Sequence, residues 1–212
     1  MTRPKKESFE AQSMTADQVT RRALLKSLSM GAVAGSVLRV IPLQAAEHVH
    51  NMIEAEKADA KAGVYTPKFF DAHTYKTLQA LCETILPADA DSGGAIEAGA
   101  PEFIDLLTSE NTDYQLKLGG GLKWLDSTCT TRYGKAWLDC APQQQSEILN
   151  LIAYRKSAAQ DESLTDAVEF FSFLRNFTAD GFFTSKIGIK YLGYKGNTYL
   201  PEFPGCPPVP GV

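Results

Sequence analysis

Apolar residues recur at three-to-four spacing through most of residues 71–186, and that spacing predicts five helices. Asp71 caps the first, in which Tyr75, Leu78, Leu81, Cys82 and Ile85 share a face, and Pro87 follows and ends it. Residues 87–94 hold one Pro, two Asp, one Ser and two Gly, which makes them a loop. A second helix is predicted over 95–108 with Phe103, Ile104 and Leu107 inward, and Pro101 is placed to break it into two pieces. After Glu110 a third helical region carries Tyr114, Leu118, Leu122 and Leu125. Gly119, Gly120 and Gly121 weaken it and mark either a kink or a close approach of other backbone. Pro142 opens a fourth helix that runs through Ile148, Leu149 and Ile152 to Lys156. Caps within 161–165 start a fifth, with Val168, Phe171, Leu174 and Phe177 on one stripe. No stretch alternates with period two for long enough to predict a sheet. The fold class is mostly α.

The flanks follow other patterns. Residues 47–63 are rich in Ala, Lys and Glu without a strong apolar face, which suits a linker or a marginal helix. The expected boundaries are a leader over 1–46, a linker over 47–70, a compact helical domain over 71–186 and an extended arm over 187–212. Ten of the 21 aromatic residues fall between Phe170 and Phe203, and five of the 11 prolines fall in 201–212, so the end is irregular and unable to form its own core.

The leader has the layout of an export signal. A polar stretch precedes Thr20-Arg21-Arg22-Ala23-Leu24-Leu25-Lys26, an apolar run rich in small residues follows, and Gln44-Ala45-Ala46 closes it. Paired Arg21 and Arg22 in this order resemble the twin-arginine signal, an address read by a receptor, which serves proteins exported already folded. The uncharged run over 27–38 is 12 residues and Arg39 interrupts it, too short for a membrane span, which needs about 20. The mature chain is then expected to begin near Glu47 in an oxidising compartment.

Charge and cysteines sharpen this picture. The formal charge is −4, but residues 1–46 carry seven Lys/Arg against three acids, which leaves the remainder at −8. A body this acidic has no long-range attraction for phosphate backbones, so no nucleic-acid partner is expected. Cys82, Cys129, Cys140 and Cys206 all lie in the mature part, and four cysteines allow three fully paired connectivities among which the sequence does not choose. Cys129 and Cys140 are the closest and are candidates to close a small loop. Cys82, on an apolar helix face, suits a buried free thiol equally well, and Cys206 in the proline-rich tail is the best candidate for an exposed thiol or a bond to another chain.

Candidate chemistry is sparse. Asp89, Asp91 and Ser92 could hold a divalent cation, but beside Gly93 and Gly94 they read better as loop caps. His48 and His50 abut the expected cleavage site and are assigned no role, and His73 reads as a surface histidine. The glycines of 193–196 lack the spacing of a phosphate loop, no G-x-G-x-x-G is present, and the absence of Cys-x-x-Cys-His excludes covalently attached haem. No nucleophile, base and orienter come together.

One stretch is more specific. Ile85-Leu86-Pro87-Ala88-Asp89-Ala90-Asp91-Ser92-Gly93-Gly94-Ala95-Ile96-Glu97-Ala98-Gly99, followed by Phe103-Ile104-Asp105, resembles the third, small subunit of gluconate 2-dehydrogenase. Asp180-Gly181-Phe182-Phe183-Thr184-Ser185 and Tyr191-Leu192-Gly193-Tyr194-Lys195-Gly196-Asn197 match the same family in order. Gly93, where the family often has Pro, and Pro101 depart from its pattern. The resemblance implies a non-catalytic subunit of a periplasmic, membrane-associated dehydrogenase for sugars or sugar acids. Its partners would be a flavoprotein of the glucose–methanol–choline (GMC) type holding FAD and a cytochrome c subunit carrying haem c, with the small subunit supplying the export signal and escorting the flavoprotein through the twin-arginine machinery. The chain itself is expected to bind no FAD, haem or metal and to lie peripheral to the inner membrane through its partners. The alternative is a free-standing periplasmic helical binding protein or enzyme. On the leading reading the partner surface lies in 182–212, with Tyr191, Tyr194, Tyr199 and Phe203 as aromatic anchors and Cys206 as a covalent tie. The competing possibility is that this segment folds back on its own helices.

Overall fold

A computed structural model of the chain describes residues 41–60 and 63–196. Arg21 and Arg22 lie outside the described residues, as do Tyr199, Phe203 and Cys206. The chain divides into two units, Met1–Ala45 and Ala46–Val212. Of the first, only 41–45 are described, and they lead into a helix.

The described residues form eight α-helices and no strand: α1 Leu43–Asp59, α2 Ala72–Ile85, α3 Ala100–Ser109, α4 Thr112–Tyr133, α5 Pro142–Ile152, α6 Arg155–Gln160, α7 Thr165–Phe183 and α8 Lys186–Tyr191. Short 3-10 turns at Trp137–Asp139 and Glu162–Leu164 join α4 to α5 and α6 to α7. The fold is all-α.

The centre of the second unit is α7, which packs against α2, α3, α4, α5, α6 and α8. Its buried face is aromatic, with Phe170, Phe171, Phe173, Phe177 and Phe182 all in the core. Tyr114 of α4 joins Phe173 and Phe177 in a cluster with ring centroids 4.5–5.3 Å apart. α3 is buried almost all round, from Ala100 to Thr108. The expected helix over 95–108 therefore begins five residues later, because Pro101 fits only in a first turn, where its missing N–H would go unused. Gly99 makes the entry in the left-handed region at φ 78°.

α4 continues as one helix through its three glycines. Gly121 receives the ring of Phe170, which occupies the space a Cβ would need. The cap at Asp71 is as expected, its carboxylate accepting from Thr74 N–H at 2.8 Å. Pro142 starts α5, and Gln144 reaches back to accept from the Ala141 N–H at 3.0 Å. That helix stops at Ile152 rather than Lys156, since Tyr154 is extended and α6 starts after it. Asp161 caps the short turn Glu162–Leu164 and not α7 itself.

Two readings of the flanks are revised. Residues 47–59 take the helical alternative and not the linker, and α1 buries Ala46, Val49 and Ile53 along one stripe. Polar contacts add to it, with Lys57 on Glu102 at 2.9 Å, Lys68 on Glu56 at 3.1 Å and Lys186 on Glu54 at 2.7 Å. Nor is His50 idle. Its ring stacks on Phe103 with centroids 5.1 Å apart, and Nε2 lies 3.0 Å from Thr184 Oγ1.

Residues 65–70 are clamped by one carboxylate on α3. Asp105 is fully buried and accepts from Tyr65 OH at 2.9 Å, Lys68 N–H at 2.6 Å, and the N–H groups of Phe69 and Phe70 at 3.1 Å each. Four donors offset the cost of burying the charge. The Tyr65 hydroxyl, desolvated and facing that charge, is held far above its ordinary range.

Candidate functional site

The last described segment carries the exposed aromatic surface. Ser185 caps α8 by accepting from Gly188 N–H at 3.1 Å, while its own hydroxyl donates to Phe182 O at 2.7 Å. A Cβ at Gly188 would collide with the Phe182 carbonyl and the Phe183 backbone, so only glycine lets α8 fold this tightly against the end of α7. Leu192 N–H then donates to Gly188 O at 2.9 Å, Gly193 turns at φ 61°, and Tyr194 N–H donates to Ile189 O at 3.2 Å. The sequence pattern after Lys186 had shown no helix. The structure has one, and it fixes where the following side chains stand.

Tyr191, Leu192 and Tyr194 are 50%, 57% and 46% exposed, a contiguous apolar run on a braced support. Phe183, the last residue of α7, is also exposed. Of the four aromatic anchors expected from sequence, Tyr191 and Tyr194 lie among the described residues, and both are exposed. The idea that the segment folds back holds for Ser185 and Gly188, which are buried, and not for residues 191–196, which are exposed.

Asp180 was missed in the sequence. It is half-buried near the end of α7, and burial alone raises its carboxyl to about 6. Its carbonyl accepts from Thr184 Oγ1 at 2.6 Å, and that hydroxyl meets His50. Burial lowers His50 from 6.5, outweighing the raising influences of Glu54 and the Gly181 backbone. The two groups therefore act in opposite directions on stability. His50, neutral when folded, contributes fully above pH 6.5, and the contribution is lost as pH falls through its folded value. Asp180 favours the folded state most below 3.8 and loses that advantage as pH rises through about 6. The destabilisation caused by His50→Gln is accordingly expected to be largest above pH 6.5 and to shrink toward pH 5. Urea unfolding of both chains across that range tests it, and a penalty that grows with acid would overturn the assignment.

The acidic loop is built as a cap. Asp89 Oδ1 accepts from the N–H groups of Asp91 and Ser92, both at 2.8 Å, and these bonds hold its carboxyl below the usual range. Glu83 of α2 braces the loop from beneath, accepting from Ala88 N–H at 3.2 Å and Ile96 N–H at 3.1 Å. His73 is a surface histidine that also bridges helices, its Nε2 lying 2.7 Å from Asp126 Oδ2 on α4. Among the described residues no three His, Cys, Asp or Glu are grouped to hold a metal ion. No described helix is long and apolar enough to cross a membrane. A shallow groove lies along α5, lined by Pro142, Gln143, Ser146, Glu147 and Asn150, and Glu147 there accepts from Tyr133 OH at 2.7 Å.

No curated protein and no solved structure matches the chain. The family model described as gluconate 2-dehydrogenase subunit 3 matches residues 72–205, which takes in everything from α2 through α8. With both sequence stretches that carried the resemblance inside that match, the chain belongs to the gluconate 2-dehydrogenase subunit 3 family and is a subunit associated with the others of a gluconate dehydrogenase complex.

Proposed function

We propose that the chain is the non-catalytic small subunit of a periplasmic, membrane-associated FAD-dependent sugar or sugar-acid dehydrogenase, and that it exports and assembles the catalytic subunit. The flavoprotein partner, of the GMC type, holds FAD, and a cytochrome c subunit carries haem c and takes the electrons. This chain contributes the twin-arginine signal at Arg21 and Arg22 and a docking surface, and through its partners it stays at the inner membrane. The observation that carries this reading is the exposed run Tyr191, Leu192 and Tyr194 on a helix braced by Ser185 and Gly188. Rigid aromatic anchors bury large area at little entropic cost, which suits a permanent partner.

Two variants test it in cells that also make the flavoprotein. Arg21→Lys with Arg22→Lys keeps both charges but removes the paired planar donors a receptor reads. Both proteins are then expected to remain in the cytoplasm. Export of the flavoprotein as before would overturn the escort role. Tyr191→Ser with Tyr194→Ser is expected to weaken co-purification on the order of 100-fold, as loss of two interface anchors does. A chain cut after Gly196 lacks Tyr199, Phe203 and Cys206 and measures their share separately. If neither change weakens binding, the docking surface lies elsewhere and the loop over 87–99 becomes the next candidate.

A further inference from the structure

Two thiols meet where α4 ends. Cys129 lies in the last turns of α4 and Cys140 just after the Trp137–Asp139 turn, and both are buried and free. Between them Gly134 ends the helix at φ 74°, with its N–H on Thr130 O at 2.9 Å. The returning chain is then held from three directions. Asp126 Oδ1 accepts from Trp137 N–H at 3.0 Å, and Gln145 Nε2 donates to Trp137 O at 2.9 Å. Cys140 N–H donates to the same carbonyl at 3.1 Å. This sets the Cys140 thiol beside the Cys129 thiol, near enough to bear on its ionisation, while Cys140 Sγ lies 3.9 Å from Lys135 O. Burial, and then the neighbouring thiol, pushes Cys129 up to about 12.

We propose that Cys129 and Cys140 are a disulfide-forming pair that staples the end of α4 to the entry of α5. Closure is an exchange with a disulfide oxidant such as oxidised glutathione or an oxidising dithiol protein. Cys140, at 6% exposed against 0% for Cys129, attacks first as thiolate and releases one thiol of the oxidant. Cys129 then displaces the second, so one S–S bond forms, two protons leave the cysteines and the oxidant's disulfide becomes two thiols. Burial makes both thiols slow to react in the folded chain, and closure proceeds through opening of the segment after Gly134. Cys82 stays outside the exchange, since it is fully buried on α2 with its sulfur 3.5 Å from Thr178 Oγ1. The loop closed is short, and in the chain-entropy view the bond shifts the folding equilibrium about 100-fold toward the folded state.

The inference rests on the proposed export only for where the bond forms, and the purified full chain tests the chemistry by itself. After equilibration with excess oxidised glutathione and digestion by trypsin without reductant, peptides 124–132 and 136–155 are expected to appear linked, because Arg132 and Lys135 are cleaved between them. Cys82 is expected as a free thiol. Reduction is expected to lower Tm on the order of 5–10 °C in the wild type and to leave the Cys129→Ser, Cys140→Ser double variant unmoved. Recovery of both peptides as free thiols, or either one linked to Cys82 or Cys206, overturns the pair. Closure in buffer upholds it whatever state the chain is isolated in, and a pair isolated open from cells counts against the export reading alone.

Discussion

Asp105→Ala is expected to destabilise the chain by about 3–5 kcal/mol, among the largest effects of any single side chain in the fold. The carboxylate is fully buried and accepts from four donors, three of them backbone N–H groups of Lys68, Phe69 and Phe70. Alanine removes the acceptor and leaves those groups in the space between α3 and the 65–70 segment. Each unsatisfied buried donor costs about 1–3 kcal/mol, reduced where water can enter. Tyr65→Phe removes one neutral donor and is expected to cost only about 1 kcal/mol. Asp105→Asn keeps one oxygen for Phe69 and Phe70 but turns an N–H toward Lys68, and falls between the two. Urea unfolding followed by far-UV circular dichroism ranks the three. A value for Asp105→Ala within 1 kcal/mol of wild type would show that the clamp is not needed.

The second large effect separates neighbouring glycines. Gly121→Ala places a methyl inside the ring of Phe170, which is 3% exposed and cannot swing out of the core. Overpacking of this kind costs about 2–3 kcal/mol, more than the helix gains from replacing glycine. Gly120→Ala one position earlier meets nothing within 4 Å, so it keeps the gain of about 0.8–1 kcal/mol. Thermal unfolding should therefore move in opposite directions for the two variants. Equal shifts would mean that α4 can slide away from α7.

These two residues also show what a sequence does and does not reveal. The helices α2, α4 and α7 were legible because large apolar side chains repeat at helical spacing and their ends carry caps or prolines. The triplet of glycines pointed to close approach, but the partner is a ring and not backbone. Asp105 was legible only as part of the family stretch, and its buried role was not, because a polar residue on a short helix reads as its solvent side. No signal in the sequence marked that role: Glu102, Asp105 and Ser109 fall at i, i+3 and i+7, the spacing of a solvent face, and the structure covers that side of α3 as well. α1 escaped because Ala46, Val49 and Ile53 are a thin stripe in an Ala- and Glu-rich stretch, and its fixing depends on contacts with residues far along the chain. α8 escaped because its Gly188 looks like a breaker, whereas Ser185 three residues ahead was a readable cap. Tyr191 and Tyr194 are exposed in a stretch where no apolar partner recurs nearby in sequence, and Cys129 and Cys140 are the nearest two cysteines along the chain, 11 residues apart.

The docking of α1 also bears on resistance to proteolysis. Ala46 is 0% exposed and lies within the first turns of a helix that begins at Leu43. A peptidase takes its substrate as an extended strand, so a bond beside Ala46 is open to cleavage only while those turns are frayed. When fraying is fast compared with cutting, the rate of processing follows the small population of the opened form. Residues that hold α1 down, such as His50, Val49 and Ile53, then set how long this end of the fold resists a protease. Loosening any of them would speed cutting there without touching the sequence that is cut.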